Sequence, residues 1–454
     1  MSNYWYDKAV FYHMYPLGMT GAPKENPKQT ADITPSQETS KGFLELDLWV
    51  SHMKDLGCSA LYIGPLFESS SHGYDTRDYK LVDKRLGTND DFVHFVKLCH
   101  DAGIRVVVDG VFNHTGREFF AFQDIQQKKW DSPYKDWYRN VNFDWHSPLG
   151  DPFGYDAWQG HFELPCLNLY NPQVKNYLFD VIRFWIDTFD IDGIRLDCAN
   201  VLDFQFMKEL RAQTETMKED FWLMGEVIHG DYSRWANQEM LHSVTNYELH
   251  KSLYSGLNDH NFFEIAHNVR RLEAIGTKLY TFVDNHDENR IASKLNKKEH
   301  LPLAYLLLFT LPGIPSVYYG GEWGVEGMRT KTSDVELRPC IPMADSQKLH
   351  CELTDLVAKL GHIHTTYEEF AGGRYQELLL TNRQYAFARH GKGSVIITAA
   401  NSDDNPSSLS IPVPISAKTA EDLMDGTIIP VKDGRLSITL PGNQGVVLKI
   451  REDK

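Results

Sequence analysis

The sequence predicts an α/β fold: a (β/α)8 TIM barrel with a domain inserted after the third strand and a C-terminal antiparallel β-sandwich. Short apolar runs alternate with longer amphipathic stretches as far as about residue 370, which is typical of a parallel sheet built from βα units. One aromatic-rich stretch interrupts this alternation, and short alternating runs separated by turn residues follow it. The predicted boundaries are 1–114 and 167–370 for the barrel, 115–166 for the inserted domain and 371–454 for the sandwich.

Eight short apolar runs are the candidate barrel strands, at residues 9–15, 60–63, 105–109, 193–196, 222–225, 243–246, 279–282 and 316–318. Between them, apolar residues recur with helical spacing at residues 43–56, 90–102, 173–189 and 203–217. The most apolar stretch, 303–319, contains Pro312, Gly313 and Pro315, and we interpret it as a buried helix that leads into a buried strand. An open doubly wound sheet is the alternative, because periodicity does not show which strands are neighbours.

Two segments leave the C-terminal ends of predicted strands, the end at which barrels carry their active sites. They are residues 18–41 and residues 115–165, and each is a candidate wall or lid. For the first segment, a mobile surface loop is the alternative. After residue 373, alternating runs at 375–380, 385–389, 395–399 and 446–450 predict the sandwich.

Composition excludes several classes of function. The 454 residues carry a net charge of −16, which disfavours binding to nucleic acids and to anionic membranes and fits a neutral or cationic partner. No apolar stretch reaches the roughly 18 residues of a membrane span, and the N-terminus lacks the basic and apolar regions of a signal peptide, so we expect a cytoplasmic protein. The six cysteines form no CxxC pair, which predicts free thiols.

Acidic residues follow several predicted strands, and their side chains are expected to converge on one mouth of the barrel. They are Asp109, Asp197, Glu226, Asp284 and Asp287, and His114, His286 and Arg195 accompany them. A single aspartate after a strand is often only the N-cap of the next helix. A cluster of like charges costs stability, and it indicates acid/base chemistry.

Cleavage of a glycosidic bond needs one ionised and one protonated carboxyl group. Arg195 precedes Asp197 by two residues, so both point to the same face of a strand, and the cation favours an ionised Asp197. Asp197 is therefore the better nucleophile. Glu226 follows the apolar residues Leu223 and Met224, a setting that favours its protonated form, so Glu226 is the better acid.

Aromatic residues are dense near this mouth and suit a cleft for sugars, whose C–H faces stack on aromatic rings. They are Tyr74, Phe112, Trp130, Trp137, Tyr138, Trp145, Tyr155 and Trp158. The alternative is that they form the small core of the inserted domain.

Five segments occur in a fixed order and together resemble the motifs of the α-amylase superfamily of retaining α-glucoside hydrolases and transglycosylases. They are DGVFNH at 109–114, LPCLN at 164–168, GIRLD at 193–197, GEV at 225–227 and FVDNHD at 282–287. The resemblance covers nearly the whole chain, including the order of barrel, inserted domain and terminal sandwich. It implies that Asp197 is the nucleophile, Glu226 the acid/base and Asp287 the transition-state stabiliser.

The resemblance also implies residues that bind the sugar. Tyr74 matches the tyrosine that stacks on the sugar at the cleavage point, and His114, Arg195 and His286 match residues that hold its hydroxyls or the nucleophile. Asp334 and Arg338 match a pair that binds the next sugar, with an exposed ion pair as the alternative.

Within the superfamily, the chain most resembles the cyclomaltodextrinase, neopullulanase and maltogenic amylase branch, although Cys166 and Val201 depart from that branch's motifs. Many of those enzymes carry an N-terminal β-domain that builds a dimeric active site. This chain begins almost at its first strand, so neither their dimerisation nor their preference for cyclodextrins is implied. Asn200 and Val201 replace the lysine and histidine that help secreted α-amylases to hold calcium. We expect no required cofactor, although Asn113 and the acidic insert are compatible with calcium.

The leading hypothesis is a hydrolase of short α-1,4-linked glucans such as maltodextrins or cyclodextrins. An α-glucanotransferase or an exo-acting α-glucosidase would use the same three carboxylates. A non-catalytic barrel, like the heavy chains of amino-acid transporters, is the alternative from another class, but those proteins lack the catalytic set and carry a membrane span.

Overall fold

Eight parallel strands form a closed barrel in the computed structural model, which describes residues 4–27 and 42–453. The strands are β1 (Phe11–Met14), β2 (Ala60–Ile63), β3 (Arg105–Gly110), β4 (Gly193–Leu196), β5 (Trp222–Gly225), β6 (Ser243–Val244), β7 (Tyr280–Phe282) and β8 (Ile314–Tyr318). Strand β1 pairs with both β2 and β8, and a parallel bridge from Thr245 to Tyr280 joins β6 to β7. The closed strand order confirms the predicted barrel and excludes the open sheet.

Helices follow most of these strands and cover the outside of the barrel. The α-helices of the described chain are Pro16–Met19, Gly42–Asp47, Trp49–Asp55, Asn89–Asp101, Phe120–Lys128, Pro172–Phe189, Phe204–Met217, Tyr247–Asn258, Phe262–Arg271, Ile291–Lys294, Leu301–Thr310, Ser346–Leu349 and Glu352–Thr366. The helix predicted over residues 43–56 is divided in two, because Leu48 donates its N–H to the Glu45 carbonyl in a tighter turn. The stretch 303–319 is a buried helix leading into β8, as predicted.

The N-terminal end of the barrel is closed by aromatic side chains. Trp5 and Tyr6, on a single 3-10 turn (Trp5–Lys8), lie 6.1 and 6.3 Å from Trp222, measured between ring centroids. The Trp5 indole also donates to the Asp220 carbonyl at 2.9 Å. The opposite, C-terminal end of the strands is therefore the end that carries the site.

The segment after β3 contains structure that its sequence did not predict. A helix (Phe120–Lys128) buries Ala121, Phe122 and Ile125, and a hairpin pairs Ala157–Trp158 with His161–Pro165. The helix was missed because its buried positions span little more than one turn, too few to show a period. The segment predicted over residues 18–41 falls outside the described residues from residue 28 onward.

The C-terminal part is antiparallel. Its strands are β9 (Arg374–Leu380), β10 (Gln384–His390), β11 (Ser394–Asn401), β12 (Ser407–Pro412), β13 (Thr419–Asp422), β14 (Ile428–Lys432), β15 (Arg435–Leu440) and β16 (Gln444–Arg451), in the order β9-β10-β11-β16-β13-β14-β15-β12. Side chains alternate between two cores: Phe387 and Ile396 join the barrel's apolar cluster, whereas Ala388 and Ile397 belong to a separate core.

Arg389 on β10 joins this sheet to the barrel. Its guanidinium is fully buried and donates to the carbonyl oxygens of Gly373, Thr310 and Phe370 at 3.1 to 3.3 Å. Burial lowers the pKa of Arg389 to about 10, so the group remains charged at neutral pH. Thr310 ends a barrel helix, and the contact therefore connects the two parts of the chain directly.

All six cysteines are free thiols, four of them buried. Among the helices that the structure describes, none has both the length and the apolar character needed to cross a bilayer.

Candidate active site

Four carboxylates lie at the C-terminal ends of barrel strands, as the sequence predicts. Asp109 lies on β3, whereas Asp197, Glu226 and Asp287 lie beyond the ends of β4, β5 and β7. Parallel strands of a barrel end at one face, so these side chains share one mouth.

Arg195 binds three of these carboxylates. Its Nη1 lies 2.9 Å from Oδ1 of Asp109 and 2.9 Å from Oδ1 of Asp197, and its Nη2 lies 3.0 Å from Oε2 of Glu226. The strand register explains the first contact, because Asp109 and Arg195 are direct neighbours across the β3–β4 pair. The guanidinium is buried, so the ion pairs are poorly screened by solvent. Arg195 therefore fixes the positions of Asp197 and Glu226 relative to each other.

The Asp197 and Glu226 carboxylates are close together. One oxygen of each lies within 4.8 Å of the other. In glycosidases, carboxyl groups about 5–5.5 Å apart accompany retention of configuration, whereas inverting enzymes need about 6.5–9.5 Å to admit a water molecule between them. The separation is therefore suited to direct attack by one carboxylate.

Glu226 lies in an environment that favours its protonated form. Burial raises the pKa of Glu226, and the negative charges of Asp197 and Asp287 raise it further, although Arg195 opposes them. Besides Arg195, the backbone N–H of Cys198 donates to the same oxygen, Oε2, at 3.0 Å. These contacts all engage Oε2, which leaves Oε1 as the oxygen that can carry a transferable proton.

Asp287 lies in the opposite environment. Burial alone would raise the pKa of Asp287, but His286, Arg338 and Arg195 lower it well below its ordinary value. His286 Nε2 lies 3.0 Å from Oδ2, and Arg338 Nη2 lies 3.1 Å from Oδ1. Asp287 is thus held ionised beside a Glu226 that tends to be protonated.

Tyr74 connects the two sides of the mouth. Its hydroxyl lies 2.5 Å from Nε2 of His286 and donates to Oδ2 of Asp109 at 3.2 Å. The Tyr62 hydroxyl donates to the same oxygen at 2.8 Å. Burial raises the pKa of Tyr74 well above its ordinary value, so the hydroxyl stays protonated. The ring therefore has a fixed position next to the carboxylates.

His114 lies at the base of the inserted segment. It forms an isolated bridge with Cys166, and its ring stacks on Trp158 with centroids 6.1 Å apart. Nδ1 lies 3.1 Å from the Asn113 amide nitrogen, whereas Nε2 is buried and has no hydrogen-bond partner among the described residues. That nitrogen is available to a hydroxyl of a bound ligand.

Arg338 lies nearer to the carboxylates than the sequence indicated. It pairs with Asp334 at 2.9 Å, and it also contacts Asp287 and donates through Nε to the His286 carbonyl at 3.1 Å. Its guanidinium stacks on the Tyr15 ring, 4.4 Å from the centroid. The pair is therefore connected to the carboxylate cluster and is not an isolated surface ion pair.

Asp284 does not join the other acidic residues, contrary to the expectation that all the strand-end carboxylates converge. Its Oδ2 accepts the N–H of Ile291 at 2.9 Å, at the start of the helix Ile291–Lys294. Burial raises the pKa of Asp284, and the charge of Arg290 opposes this effect. Asp284 thus binds the first turn of that helix, although Arg290 and not Asp284 is the residue that caps it.

The predicted aromatic residues divide into two groups. Phe112, Trp137, Tyr138 and Tyr155 are buried, as expected if they form a core. Trp130 and Trp145 are 64% and 69% exposed, and Tyr74 and Trp158 are partly exposed. Of these, Tyr74 contacts Asp109, and Trp158 stacks on the ring of His114.

Sequence reasoning missed two groups that contact the carboxylate cluster. The Tyr62 hydroxyl binds Asp109, and the Cys198 thiol donates to Oδ2 of Asp197 at 3.0 Å. The register of Tyr62 opposite Val107 on the next strand is a tertiary feature with no local sequence signal.

The compatibility of Asn113 and the acidic insert with calcium stays a prediction. Asn113 is buried, and its amide nitrogen lies 3.1 Å from Nδ1 of His114. Asp151 in the insert accepts hydrogen bonds from Arg117, Gln126, Ser147 and Tyr155.

Comparison with known proteins gives consistent matches. Residues 49–348 match the family described as "Alpha amylase, catalytic domain". Over 412 residues, the chain is 31% identical to the cyclomaltodextrinase of Thermoanaerobacter pseudethanolicus, covering 87% of this chain and 70% of that protein. It is also 31% identical to neopullulanase 2 of Thermoactinomyces vulgaris, covering 98% of this chain and 78% of the relative.

The fold is similar to that of a solved cyclomaltodextrinase structure. The TM-score is 0.85 at 26% sequence identity, over 98% of this chain and 78% of the solved chain. The similarity thus includes the barrel, the inserted segment and the C-terminal sheet.

Proposed function

The chain belongs to the α-amylase family of glycoside hydrolases, and from this premise we propose that it cleaves α-1,4-glucosidic bonds of maltodextrins, related oligosaccharides or cyclodextrins with retention of configuration. The observation that carries the proposal is that the Arg195 guanidinium holds Asp197 and Glu226 side by side, at 2.9 and 3.0 Å, with their nearest oxygens within 4.8 Å of each other. This spacing suits a reaction through a covalent glycosyl-enzyme intermediate.

In the first step, a carboxylate oxygen of Asp197 attacks the anomeric carbon and forms the glycosyl ester. The bond from that carbon to the leaving oxygen breaks, and Glu226 transfers its proton to this oxygen. The raised pKa of Glu226 supports its role as the acid, and within the described part of the chain no donor contacts Oε1. Arg195 orients Asp197 by binding its other oxygen, Oδ1.

In the second step, Glu226 is ionised and accepts a proton from water as the water oxygen attacks the anomeric carbon. The ester bond to Asp197 breaks, which regenerates both carboxyl groups in their starting states. Positive charge develops on the sugar ring in both transition states. Asp287, held ionised by His286 and Arg338, is the group that stabilises this charge.

Six residues would hold the sugars around the cleavage point. Tyr74, His114, Arg195 and His286 would bind the ring whose bond is cleaved, and Asp334 and Arg338 the next sugar. The unpaired Nε2 of His114 and the partly exposed ring of Tyr74 support this assignment, because a sugar offers hydroxyls to the first and C–H faces to the second.

An α-glucanotransferase is the second candidate. Val201 and Ile228, which are 38% and 40% exposed, closely follow Asp197 and Glu226 in sequence. Exposed apolar side chains in the loops that follow these strand ends would favour a sugar over water as the acceptor, because sugars present apolar C–H faces. An exo-acting α-glucosidase has no comparable support here.

We further propose that activity needs no metal and that the protein acts in the cytoplasm on neutral glucans, without nucleic acid or membrane partners. Dialysis against EDTA should then leave activity and Tm unchanged. A loss of activity restored by calcium would contradict this part of the proposal.

The function is tested by chromatography of the products over time, with maltoheptaose, β-cyclodextrin and pullulan incubated separately with the protein. Early maltose and maltotriose, together with attack on the cyclodextrin, would support the proposed hydrolase. Products longer than the heptaose would identify a transferase, and glucose released alone from the chain end would identify an exo-acting enzyme. Absence of any product, with correct folding, would overturn the proposal.

A further inference from the structure

Cys198 follows the proposed nucleophile directly and contacts both carboxylates of the proposed reaction. Its backbone N–H donates to Oε2 of Glu226 at 3.0 Å, and its thiol donates to Oδ2 of Asp197 at 3.0 Å. The family motifs used to assign Asp197 and Glu226 give no role to this side chain. In the related branch the second motif reads DVAN, with valine at this position, and valine carries no donor.

The backbone of Cys198 explains how one residue reaches both groups. Its φ of 51° and ψ of 37° lie in the left-handed region. Residues other than glycine, asparagine and aspartate seldom adopt this conformation. Along a regular strand, consecutive side chains point to opposite faces, so the side chain of Cys198 would point away from that of Asp197. The left-handed turn instead brings the Cys198 thiol back to the Asp197 carboxylate. Such a conformation persists only where the surrounding structure enforces it.

The two Asp197 oxygens are thereby both engaged. Oδ1 accepts from Nη1 of Arg195, and Oδ2 accepts from the thiol. The Cys198 side chain is buried, and burial together with the charge of Asp197 raises the pKa of the thiol, so it remains a donor at neutral pH. A thiol is a weak donor compared with a guanidinium or a hydroxyl. It can orient the oxygen while withdrawing little of the charge that makes the oxygen nucleophilic.

We propose that Cys198 is a positioning residue that directs one donor to each carboxylate, its N–H to Glu226 and its thiol to Asp197. The inference rests on the proposed roles of those two carboxylates. Because the thiol bonds the oxygen that Arg195 leaves free, it fixes the rotation of the Asp197 carboxylate before attack.

The test compares kcat and KM for three variants on maltoheptaose. Cys198→Ala removes the thiol and retains the N–H, and we expect kcat to fall about tenfold, with KM nearly unchanged, because one hydrogen bond to a charged group is lost. Cys198→Ser retains a donor at this position and should restore most of the lost kcat.

Cys198→Gly separates the thiol from the backbone. Glycine adopts the left-handed conformation without strain, so this variant should fold at least as well as Cys198→Ala and still lack the thiol. It should show the same fall in kcat as Cys198→Ala. Cys99→Ala is the matched control, because Cys99 is also a buried free thiol but lies on the helix Asn89–Asp101, away from the mouth. Its kcat and KM should match those of the unaltered protein.

An unchanged kcat in both Cys198→Ala and Cys198→Gly would overturn the proposal. So would an equal loss of kcat in Cys198→Ala and Cys198→Ser, since that result indicates that only packing matters at this position. Failure of the proposed function is distinguishable, because it would appear as activity retained in Asp197→Asn, whatever the behaviour of the Cys198 variants.

Discussion

Nη2 of Arg338 lies 3.1 Å from Oδ1 of Asp287, although the two residues are 51 positions apart in the sequence. The arginine therefore stabilises the negative charge of a proposed catalytic carboxylate from a loop beyond the last barrel strand. The same nitrogen pairs with Asp334 at 2.9 Å. A group that displaces Asp334 therefore also changes the contacts of Arg338, the arginine that binds Asp287.

Arg338→Ala should therefore impair turnover as well as binding. Loss of the cation raises the pKa of Asp287 and removes a hydrogen bond to its charge, and we expect kcat to fall by about tenfold to a hundredfold. Asp334→Ala leaves the Arg338–Asp287 contact in place, so KM should rise while kcat changes less than about threefold. Steady-state kinetics on maltoheptaose measure both effects, and an equal loss of kcat in the two variants would show that Asp287 does not depend on Arg338.

Asp197→Asn should retain the fold and lose the reaction. An amide cannot form the glycosyl ester, so kcat on maltoheptaose should fall roughly 10⁴-fold or more. The amide still offers an oxygen to Arg195, and circular dichroism and Tm should remain close to those of the unaltered protein. Activity near that of the unaltered protein would contradict the role of Asp197 as nucleophile.

The raised pKa of Glu226 predicts the alkaline limb of the pH profile. Glu226 must be protonated to act as the acid, so kcat/KM should fall as pH rises through its raised pKa, above the usual value of about 4.3. Glu226→Gln should remove this limb and lower kcat on maltoheptaose by about 10²- to 10⁴-fold. α-Glucosyl fluoride needs little protonation of its leaving group, so its cleavage should be less affected. Equal losses on both substrates would argue against acid catalysis by Glu226.

Asp192, between the helix Pro172–Phe189 and β4, should contribute to stability in acid. Burial opposes its ionisation, but His100 at 2.7 Å, Lys218 at 3.2 Å and the Val106 N–H at 2.9 Å lower the pKa of Asp192 to about 2. A carboxyl with a lowered folded-state pKa stabilises the fold above its unfolded pKa and loses that effect as pH falls from about 4 to about 2.

Asp192→Asn should therefore lower the free energy of unfolding at pH 7 by about 2 kcal/mol. Denaturant titrations at pH 7 and pH 3 measure the difference, which should shrink at the lower pH. Asp187→Asn, at an exposed position of the neighbouring helix, is the control and should change little at either pH. A loss for Asp192→Asn that is the same at both values would mean that its charge is not responsible.

Much of the barrel follows from the sequence because buried parallel strands are continuous apolar runs. Strands β2, β4 and β5 begin and end at the predicted residues, and each proposed catalytic residue follows a strand end that the runs define. Whether a side chain lies at a strand end depends on the few residues around it. The sequence therefore also indicates which carboxylates share the mouth.

The exceptions depend on tertiary geometry. Asp284 follows β7 as Asp197 follows β4, but the short helix at Ile291 binds its carboxylate, and no sequence pattern shows that contact. The role of Asp109 as a partner of Arg195 depends on the β3–β4 register. The contact between Cys198 and Asp197 was missed because it requires a left-handed backbone at Cys198. Cysteine seldom adopts this conformation, so the sequence did not indicate it.

The buried guanidinium of Arg389 has a consequence for how the chain unfolds and how its parts can be exchanged. Its three acceptor carbonyls lie on a barrel helix and on the segment that follows the helix Glu352–Thr366. Separating the C-terminal sheet from the barrel would leave the arginine without these acceptors and the carbonyls without their donor, which is costly for buried groups. The barrel and the sheet should therefore melt in one cooperative transition, and a C-terminal sheet taken from a relative would be accepted only if it brings an arginine to this position.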